Sequence, residues 1–225
     1  MKWIRAVLTA IAIAVLSGVA GHAQAADSQA QAGSTRRAHA RASEDQFDIG
    51  LSFYEALNDS SSGNGTQQDP TNSGGGMLEA RYIHSPLVGF EFTYGYNPAN
   101  QTLSPKTGDC AYACANPVTV FKAKGSEPAL DWVFSKKIGN IRPFAVGGIG
   151  FFITSTDRSA YEVNTVVRST YIGGGGVDLK LLPRIGIRAQ IRDNFYKAPN
   201  VSAFYPATGM FTHTLEPMVG LFFTL

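Results

Sequence analysis

Apolar side chains recur at every second position along seven segments of the chain, and an eighth segment, 141–154, is too apolar and Gly-rich for its faces to be assigned. A period of two is that of a β-strand whose two faces differ in polarity. The apolar faces are deep enough for the ~9–11-residue tilted strands that cross a bilayer. We therefore predict an all-β fold, an eight-stranded antiparallel up-and-down transmembrane β-barrel. The predicted strands are 47–57, 77–84, 88–97, 127–135, 141–154, 170–181, 184–195 and 212–225.

The last predicted strand runs to the final residue. Val219, Leu221, Phe223 and Leu225 lie on one of its faces. A secreted chain with such a strand resembles a bacterial outer-membrane β-barrel, whose terminal strand closes the barrel and addresses it for assembly. We therefore expect these four residues to form a C-terminal assembly signal, with the barrel-assembly machinery as a partner.

The N-terminus predicts export. Lys2 and Arg5 precede the largely apolar run 6–20, and Ala23-Gln24-Ala25 fits a small-x-small cleavage site. The following segment is rich in Ala, Gln, Ser and Arg without apolar periodicity, which is typical of a disordered tether. We expect a signal peptide at 1–25, a disordered periplasmic tether at 26–46 and the outer-membrane barrel at 47–225.

The charge of the mature chain bears on whether it binds nucleic acid. The full sequence has 19 basic and 17 acidic residues. Cleavage after Ala25 removes two of the basic residues and no acid, which leaves 17 of each. A balanced charge gives no reason to expect nucleic acid as a partner.

Connections of two kinds alternate along the chain. Tight ones lie near Ser85-Pro86, through 136–140 and at Leu182-Pro183, and long ones at 58–76, 98–126, 155–169 and 196–211. This order puts all the long loops at one end, as in outer-membrane barrels, whose long loops face outside. We therefore expect a location in the bacterial outer membrane, in contact with its lipid. The long loops are candidate sites for an extracellular ligand or surface.

Two long loops carry more specific expectations. The loop 58–76 has almost no apolar residue, and we expect it to be mobile. Around Val118, Val120 and Phe121, apolar and polar residues alternate, so we expect this segment to extend the fourth strand above the membrane.

The polar faces of the predicted strands carry charges of both signs. An eight-stranded barrel encloses an interior that side chains fill. We expect a salt-bridge network there, because unpaired charges in a narrow lumen would be costly. These charges serve either as polar filling or as part of a gated pore or proton path. The predicted network comprises Glu79, Arg81, Glu91, Asp131, Asp178, Lys180, Arg188, Arg192 and Glu216.

Three stretches carry a family resemblance. GMLEARYI at 76–83 and LVGFEFTYGY at 87–96 resemble the second hairpin of small outer-membrane β-barrel proteins of the OmpA and opacity-protein type. RPFAVGGIG at 142–150 is similar to the fifth-strand segment of that family. The resemblance implies the barrel architecture but no single activity, since the family holds anchors, adhesins and proteins of unknown role. One departure is Leu225, which stands where an aromatic residue is common.

The two cysteines lie in one long loop. Cys110 and Cys114 have no neighbouring His pair, so no metal site is expected. In an exported protein they indicate a disulfide, with reactive thiols as the alternative. We expect no cofactor.

Three functions remain open from the sequence. The first is a monomeric, non-enzymatic outer-membrane barrel with a structural or surface-interaction role. The second is a lipid-modifying enzyme at the outer rim. His84-Ser85 lies at the wrong end for that chemistry, and no Ser can be placed beside His213, while Glu216 has the opposite parity. The third is a soluble periplasmic ligand-binding barrel with apolar residues inside, which alternation alone does not exclude.

Overall fold

The computed structural model describes residues 45–84, 87–105, 119–156, 165–203 and 205–225. These ranges hold twelve strands: β1 (Gln46–Asn58), β2 (Ser61–Gly63), β3 (Thr66–Pro70), β4 (Ser73–Ile83), β5 (Val88–Pro98), β6 (Gln101–Pro105), β7 (Thr119–Phe121), β8 (Ala123–Ser135), β9 (Ile141–Thr156), β10 (Thr165–Lys180), β11 (Ile185–Lys197) and β12 (Phe211–Thr224). Within the same ranges there is no helix of the length and apolar character needed to span a membrane.

The eight long strands close into one antiparallel barrel in the order β1-β12-β11-β10-β9-β8-β5-β4. The first and last strands meet at the closing seam, where Ile49 pairs with Phe223 and Leu51 with Leu221. The predicted eight-stranded up-and-down barrel is confirmed, and each predicted strand matches one of these eight long strands.

The barrel is polar inside and apolar outside. Phe53 and Leu221 point outward and are 68% and 60% exposed, whereas the inward Glu91 and Arg81 are 0% exposed. An apolar belt of this extent is stable only against hydrocarbon, because soluble monomers rarely expose large contiguous apolar patches. A soluble barrel with an apolar interior, the third function left open by the sequence, is therefore excluded.

The belt ends near the loop end of the barrel. Moving up from the tight turns, the first outward charged side chains are Glu55 on β1, Asp193 on β11 and His213 on β12. Two residues nearer the loops on the same faces, the exposed rings of Phe195 and Phe211 stack with their centres 5.1 Å apart. Aromatic girdles lie at the membrane interfaces of such barrels, so these groups lie at the outer interface of the wall. Asp59, which follows β1, lies beside His213, since its backbone N–H donates to the His213 carbonyl at 3.1 Å.

Four short strands form a second sheet, the loop sheet, in the order β2-β3-β6-β7. Leu103, Phe121, Val201 and Tyr205 pack together as its apolar core. The expectation of a mobile first loop was wrong, because β2 and β3 in that loop pair with each other and with β6 of the second loop. The expectation for Phe121 was also wrong, because β7 pairs with β6 and belongs to the loop sheet, not to the fourth barrel strand.

The loop sheet is joined to the last long loop as well. The Ser61 and Thr208 hydroxyl oxygens lie 3.2 Å apart, and the Asn64 amide donates to the Ala207 carbonyl at 2.8 Å. Side-chain bonds also link the first two loops, since the Gln68 amide donates to the Gln101 side-chain oxygen at 2.8 Å. Segments from three loops thus form one folded unit at the loop end.

The closing seam leaves no room for a side chain at Gly220, which has the same strand parity as the inward-facing Met218 and Phe222. A Cβ at this position would lie 2.1 Å from Ser52 Oγ and 2.4 Å from the Leu51 carbonyl oxygen. The absence of a side chain therefore allows the terminal strand to approach β1 closely.

Candidate functional site in the barrel lumen and at the outer rim

Two arginines organise the lumen near the tight turns. Arg188 donates from Nε and Nη2 to the two carboxylate oxygens of Asp178 at 2.7 and 3.1 Å, and from Nη1 to Glu79 at 2.5 Å. Arg81 donates to Glu91 at 2.5 Å and to Asp178 at 3.1 Å. A buried ion pair is stable only when its remaining hydrogen-bonding positions are satisfied, and such a shared network satisfies most of them. We call these five residues the turn-end cluster.

Aromatic rings complete the turn-end cluster. The Arg81 guanidinium carbon lies 4.0 Å from the centre of the Phe144 ring, and that of Arg188 lies 5.2 Å from the centre of the Phe222 ring. Cations over ring faces gain cation–π attraction. The charges and rings together fill this part of the lumen with packed side chains.

A second group of charges, the loop-end cluster, lies nearer the loops and contains Arg192, Asp131, Glu127 and Glu216. Arg192 pairs with Asp131 at 3.2 Å and donates to the Thr93 hydroxyl at 3.0 Å. The remaining two carboxyl groups, those of Glu127 and Glu216, lie next to each other. All four charged groups are buried.

A third set of ionisable groups, the rim triad, lies on the outer surface at the upper edge of the belt. His213 Nδ1 is 2.9 Å from an Asp193 carboxylate oxygen, and its Nε2 is 2.8 Å from one of Asp59. Two carboxylate acceptors require two N–H donors, and only the protonated imidazolium has both. Partial burial opposes this charge, but the bonds and charges of Asp193 and Asp59 outweigh it and raise the pKa of His213 above its ordinary value.

The overall geometry has counterparts among solved structures. No protein-family model matches the chain, and no curated protein matches it. OprG of Pseudomonas aeruginosa, an outer-membrane protein, aligns with a TM-score of 0.52 at 15% identity, over 81% of this chain and 97% of OprG. Neisserial surface protein A aligns with a TM-score of 0.51 at 12% identity, over 79% of this chain and 96% of that protein.

The chain has the fold of small outer-membrane β-barrels. At identities this low the alignments show the fold alone, and the outward apolar belt independently requires a membrane. The resemblance to small outer-membrane barrels seen in the sequence is confirmed at the level of fold.

The structure places the predicted charge network of this barrel in two groups. Glu79, Arg81, Glu91, Asp178 and Arg188 meet in the turn-end cluster. Asp131, Arg192 and Glu216 belong to the loop-end cluster. Lys180 joins neither group. It lies at the turn end of the barrel, where its ammonium donates to the Gln46 side-chain oxygen at 3.3 Å.

Sequence reasoning missed several lumen residues. Glu127 has the same parity as Asp131 on β8, and Asp48 lies on the polar face of the first predicted strand, so alternation could have found both. Arg142, Phe144 and Phe222 are buried inside the barrel too. The first two lie on β9, whose Gly-rich and apolar sequence gave no assignment of faces.

Three residues of the predicted assembly signal, Val219, Leu221 and Phe223, face outward on the last strand, and the fourth, Leu225, is also exposed. Val219, Leu221 and Phe223 pair with Phe53, Leu51 and Ile49 across the closing seam. Leu225 follows the strand, and its backbone N–H donates to the Phe47 carbonyl at 3.0 Å. Their role in assembly stays a prediction. Cys110 and Cys114, the predicted disulfide, lie outside the described residues, as does Ser85.

The rim triad does not favour the catalytic hypothesis for this barrel. A general base needs a ring nitrogen that is free to accept a proton, and both nitrogens of His213 face carboxylates. Among the described residues, no serine hydroxyl bonds to His213, so the nucleophile of an acyl-transfer site is missing there.

The rim triad predicts a pH-dependent stability of the barrel. Because the folded-state pKa of His213 is raised above 6.5, its contribution is fully present below that value and is lost as the pH rises through the folded-state pKa. The side chain is 44% exposed, so the expected loss is small, below about 1 kcal/mol. Urea unfolding of the protein in bilayers between pH 6 and pH 9 measures it.

The matched control for this measurement is His84, an exposed histidine at the other end of the barrel that pairs with Asp45. The pH-dependent loss should vanish in His213→Asn and persist in His84→Asn. An unchanged profile in His213→Asn would show that other groups cause the dependence.

Proposed function

We propose that the protein is a non-enzymatic surface-interaction barrel, in which the transmembrane wall supports the loop sheet for contact with an extracellular ligand or surface. The observation that carries the proposal is the loop sheet itself, with its own apolar core of Leu103, Phe121, Val201 and Tyr205. A set of loops that only connected strands would not need a core of its own. A rigid surface also loses less conformational entropy on binding than mobile loops do.

The state of the lumen supports the same proposal. The turn-end cluster crosses the barrel interior, since it joins β4, β5, β10 and β11 through Arg81, Glu91, Asp178 and Arg188. Its side chains are 0–3% exposed. A lumen crossed by packed, paired charges has no continuous water path at this level, which favours a support over a pore.

The orientation of the barrel determines on which side of the membrane the loop sheet lies. Tight turns and both barrel termini lie at one end, and the loop sheet lies at the other. In outer-membrane barrels the long-loop end faces the outside of the cell. The loop sheet is then the part of the molecule presented to the surroundings.

Adhesion of cells that display the protein tests the proposal. In the deletion variant, residues 101–121 are replaced by a short Gly-Ser linker, which removes β6 and β7 and half of the apolar core. Cells displaying the wild-type barrel are expected to be retained on at least one of three coated surfaces, carrying heparin, laminin or collagen. The deletion is expected to abolish this retention, because the loop sheet no longer forms.

The control variant carries the same linker at the opposite end, in place of the tight connection 136–140. It should retain cells as the wild type does, provided both variants reach the outer membrane in equal amounts. Absence of wild-type retention on all three surfaces, or equal retention by the deletion variant, contradicts the proposal.

A further inference from the structure

The buried charges of the lumen are unevenly distributed along the barrel. The loop-end cluster contains three carboxyl groups, those of Glu127, Asp131 and Glu216, against the single guanidinium of Arg192. If all are ionised, the cluster carries a surplus of two negative charges in a region shielded from water. Buried charges without compensation are strongly destabilising. The cluster therefore needs either positive charge from beyond the described residues or protons on its carboxyl groups.

The surplus is localised on Glu127 and Glu216. Arg192 is committed elsewhere, since its Nη2 pairs with Asp131 and its Nη1 donates to Thr93. In the part of the chain that the structure describes, no hydrogen bond is donated to either carboxyl oxygen of Glu216 or to one oxygen of Glu127. Arg168, the next inward base toward the loops, forms no ion pair with either glutamate in the described part of the chain.

Two neutral polar side chains, those of Asn194 and Tyr54, lie near the same two carboxyl groups. The Asn194 amide nitrogen donates to Glu127 at 2.8 Å, while its amide oxygen is buried with no partner. The Tyr54 hydroxyl is also buried, and it has no partner among the described residues. It lies 3.3 Å from the position that a Cβ on Gly95 would take, and Glu127 Cβ lies 3.5 Å from that position.

We propose that Glu127, Glu216 and Asn194 bind one hard divalent cation, Ca²⁺ or Mg²⁺, inside the lumen. A charge of two balances the surplus of the loop-end cluster. The available donors are carboxylate, amide and hydroxyl oxygens, which are the ligands these cations take. No group of three or more His, Cys, Asp and Glu in the described ranges is arranged around a metal position, so Asn194, Tyr54 and water supply the remaining ligands.

This cation ties three strands together inside the membrane. Glu127 is on β8, Asn194 on β11 and Glu216 on β12. The arginines of the turn-end cluster link strands near the tight turns, and the cation links strands nearer the loops. The site is structural, and it does not depend on what the loop sheet binds.

Metal content of the purified protein tests the site. The mature protein is folded in detergent with 2 mM Ca²⁺ or Mg²⁺, passed through a desalting column in EDTA and analysed by mass spectrometry of its metals. About one ion per chain is expected for the wild type and nearly none for Glu127→Gln/Glu216→Gln. The outward carboxylate of Glu55 gives the matched control, and Glu55→Gln should hold as much metal as the wild type.

Stability gives a second readout that does not require the variant to bind. Folding the wild type with Ca²⁺ at a hundred times its Kd should shift the folding equilibrium about a hundredfold toward the folded state relative to folding in EDTA. The double Gln variant should be equally stable in both. A wild type that retains neither ion and is equally stable in both overturns the proposal, and protons shared between the two carboxyl groups then compensate the charge.

Discussion

Replacing Arg188 by methionine is expected to lower the free energy of unfolding by about 3–5 kcal/mol. Arg188 donates to Asp178 and Glu79 and also lies 3.3 Å from a Glu91 oxygen. Methionine fills similar volume but leaves these carboxylates short of positive charge where no water replaces it. Loss of one partner of a buried pair costs far more than the net value of the pair itself.

Urea unfolding in lipid vesicles, followed by tryptophan fluorescence, measures this effect. Arg184 lies exposed just before β11, so Arg184→Met is the matched control and should change stability by less than about 0.5 kcal/mol. Adding Glu79→Gln to Arg188→Met removes one of the stranded charges and should recover part of the loss. A stability of Arg188→Met within about 1 kcal/mol of the wild type would contradict the role given to the turn-end cluster.

Replacing Gly220 by alanine is expected to destabilise the barrel by about 1–3 kcal/mol and to slow its closure. The new methyl group would overlap the Leu51 carbonyl oxygen and Ser52 on the facing strand. Backbone atoms of a paired strand cannot move aside as a flexible side chain can. The closing seam must therefore widen at this point.

The fraction of protein that migrates as a compact band in unheated gels measures closure, and urea unfolding measures stability. Gly76→Ala is the control, because a Cβ at Gly76 meets nothing within 4 Å. It should assemble as the wild type does. Equal assembly and stability of the two alanine variants would show that the seam adjusts at no cost.

The barrel could be predicted from the sequence because the membrane imposes one pattern on every strand. Each outward position must be apolar and each inward position must fit a narrow polar lumen, so alternation identifies both the strand and its faces. The prediction weakened on β9, where Gly147 and Gly148 leave neither face with a clear polarity. Arg142 and Phe144 on the same strand were missed for that reason.

Partners within the lumen could not be read from strand parity. Parity places Glu127 and Lys180 inside the barrel, but not at a given height or opposite a given partner. Lys180 lies at the turn end and bonds to Gln46, and Glu127 faces Glu216 across the lumen. These pairings depend on strand tilt and stagger, which the sequence does not state.

The loop sheet was missed for a different reason. Its strands are short and polar, and they pair with strands from distant loops. For both reasons, local apolar periodicity does not predict them. One local signal was present. Asn64-Gly65 is a two-residue turn sequence typical of hairpins, and both residues have positive φ, 51° and 74°. Its paired flanking residues Ser62 and Gln67 are polar, so a search for apolar alternation does not detect this hairpin.

Because the loop sheet combines distant segments of the chain, antibody recognition of it depends on the folded protein. The loop sheet is assembled from stretches far apart in the chain, for example where Gln68 meets Gln101. A synthetic peptide copied from either stretch lacks the other and has no reason to adopt the same shape. Antibodies raised against such peptides should therefore bind intact cells poorly, and only the whole folded barrel should elicit antibodies that recognise the native surface.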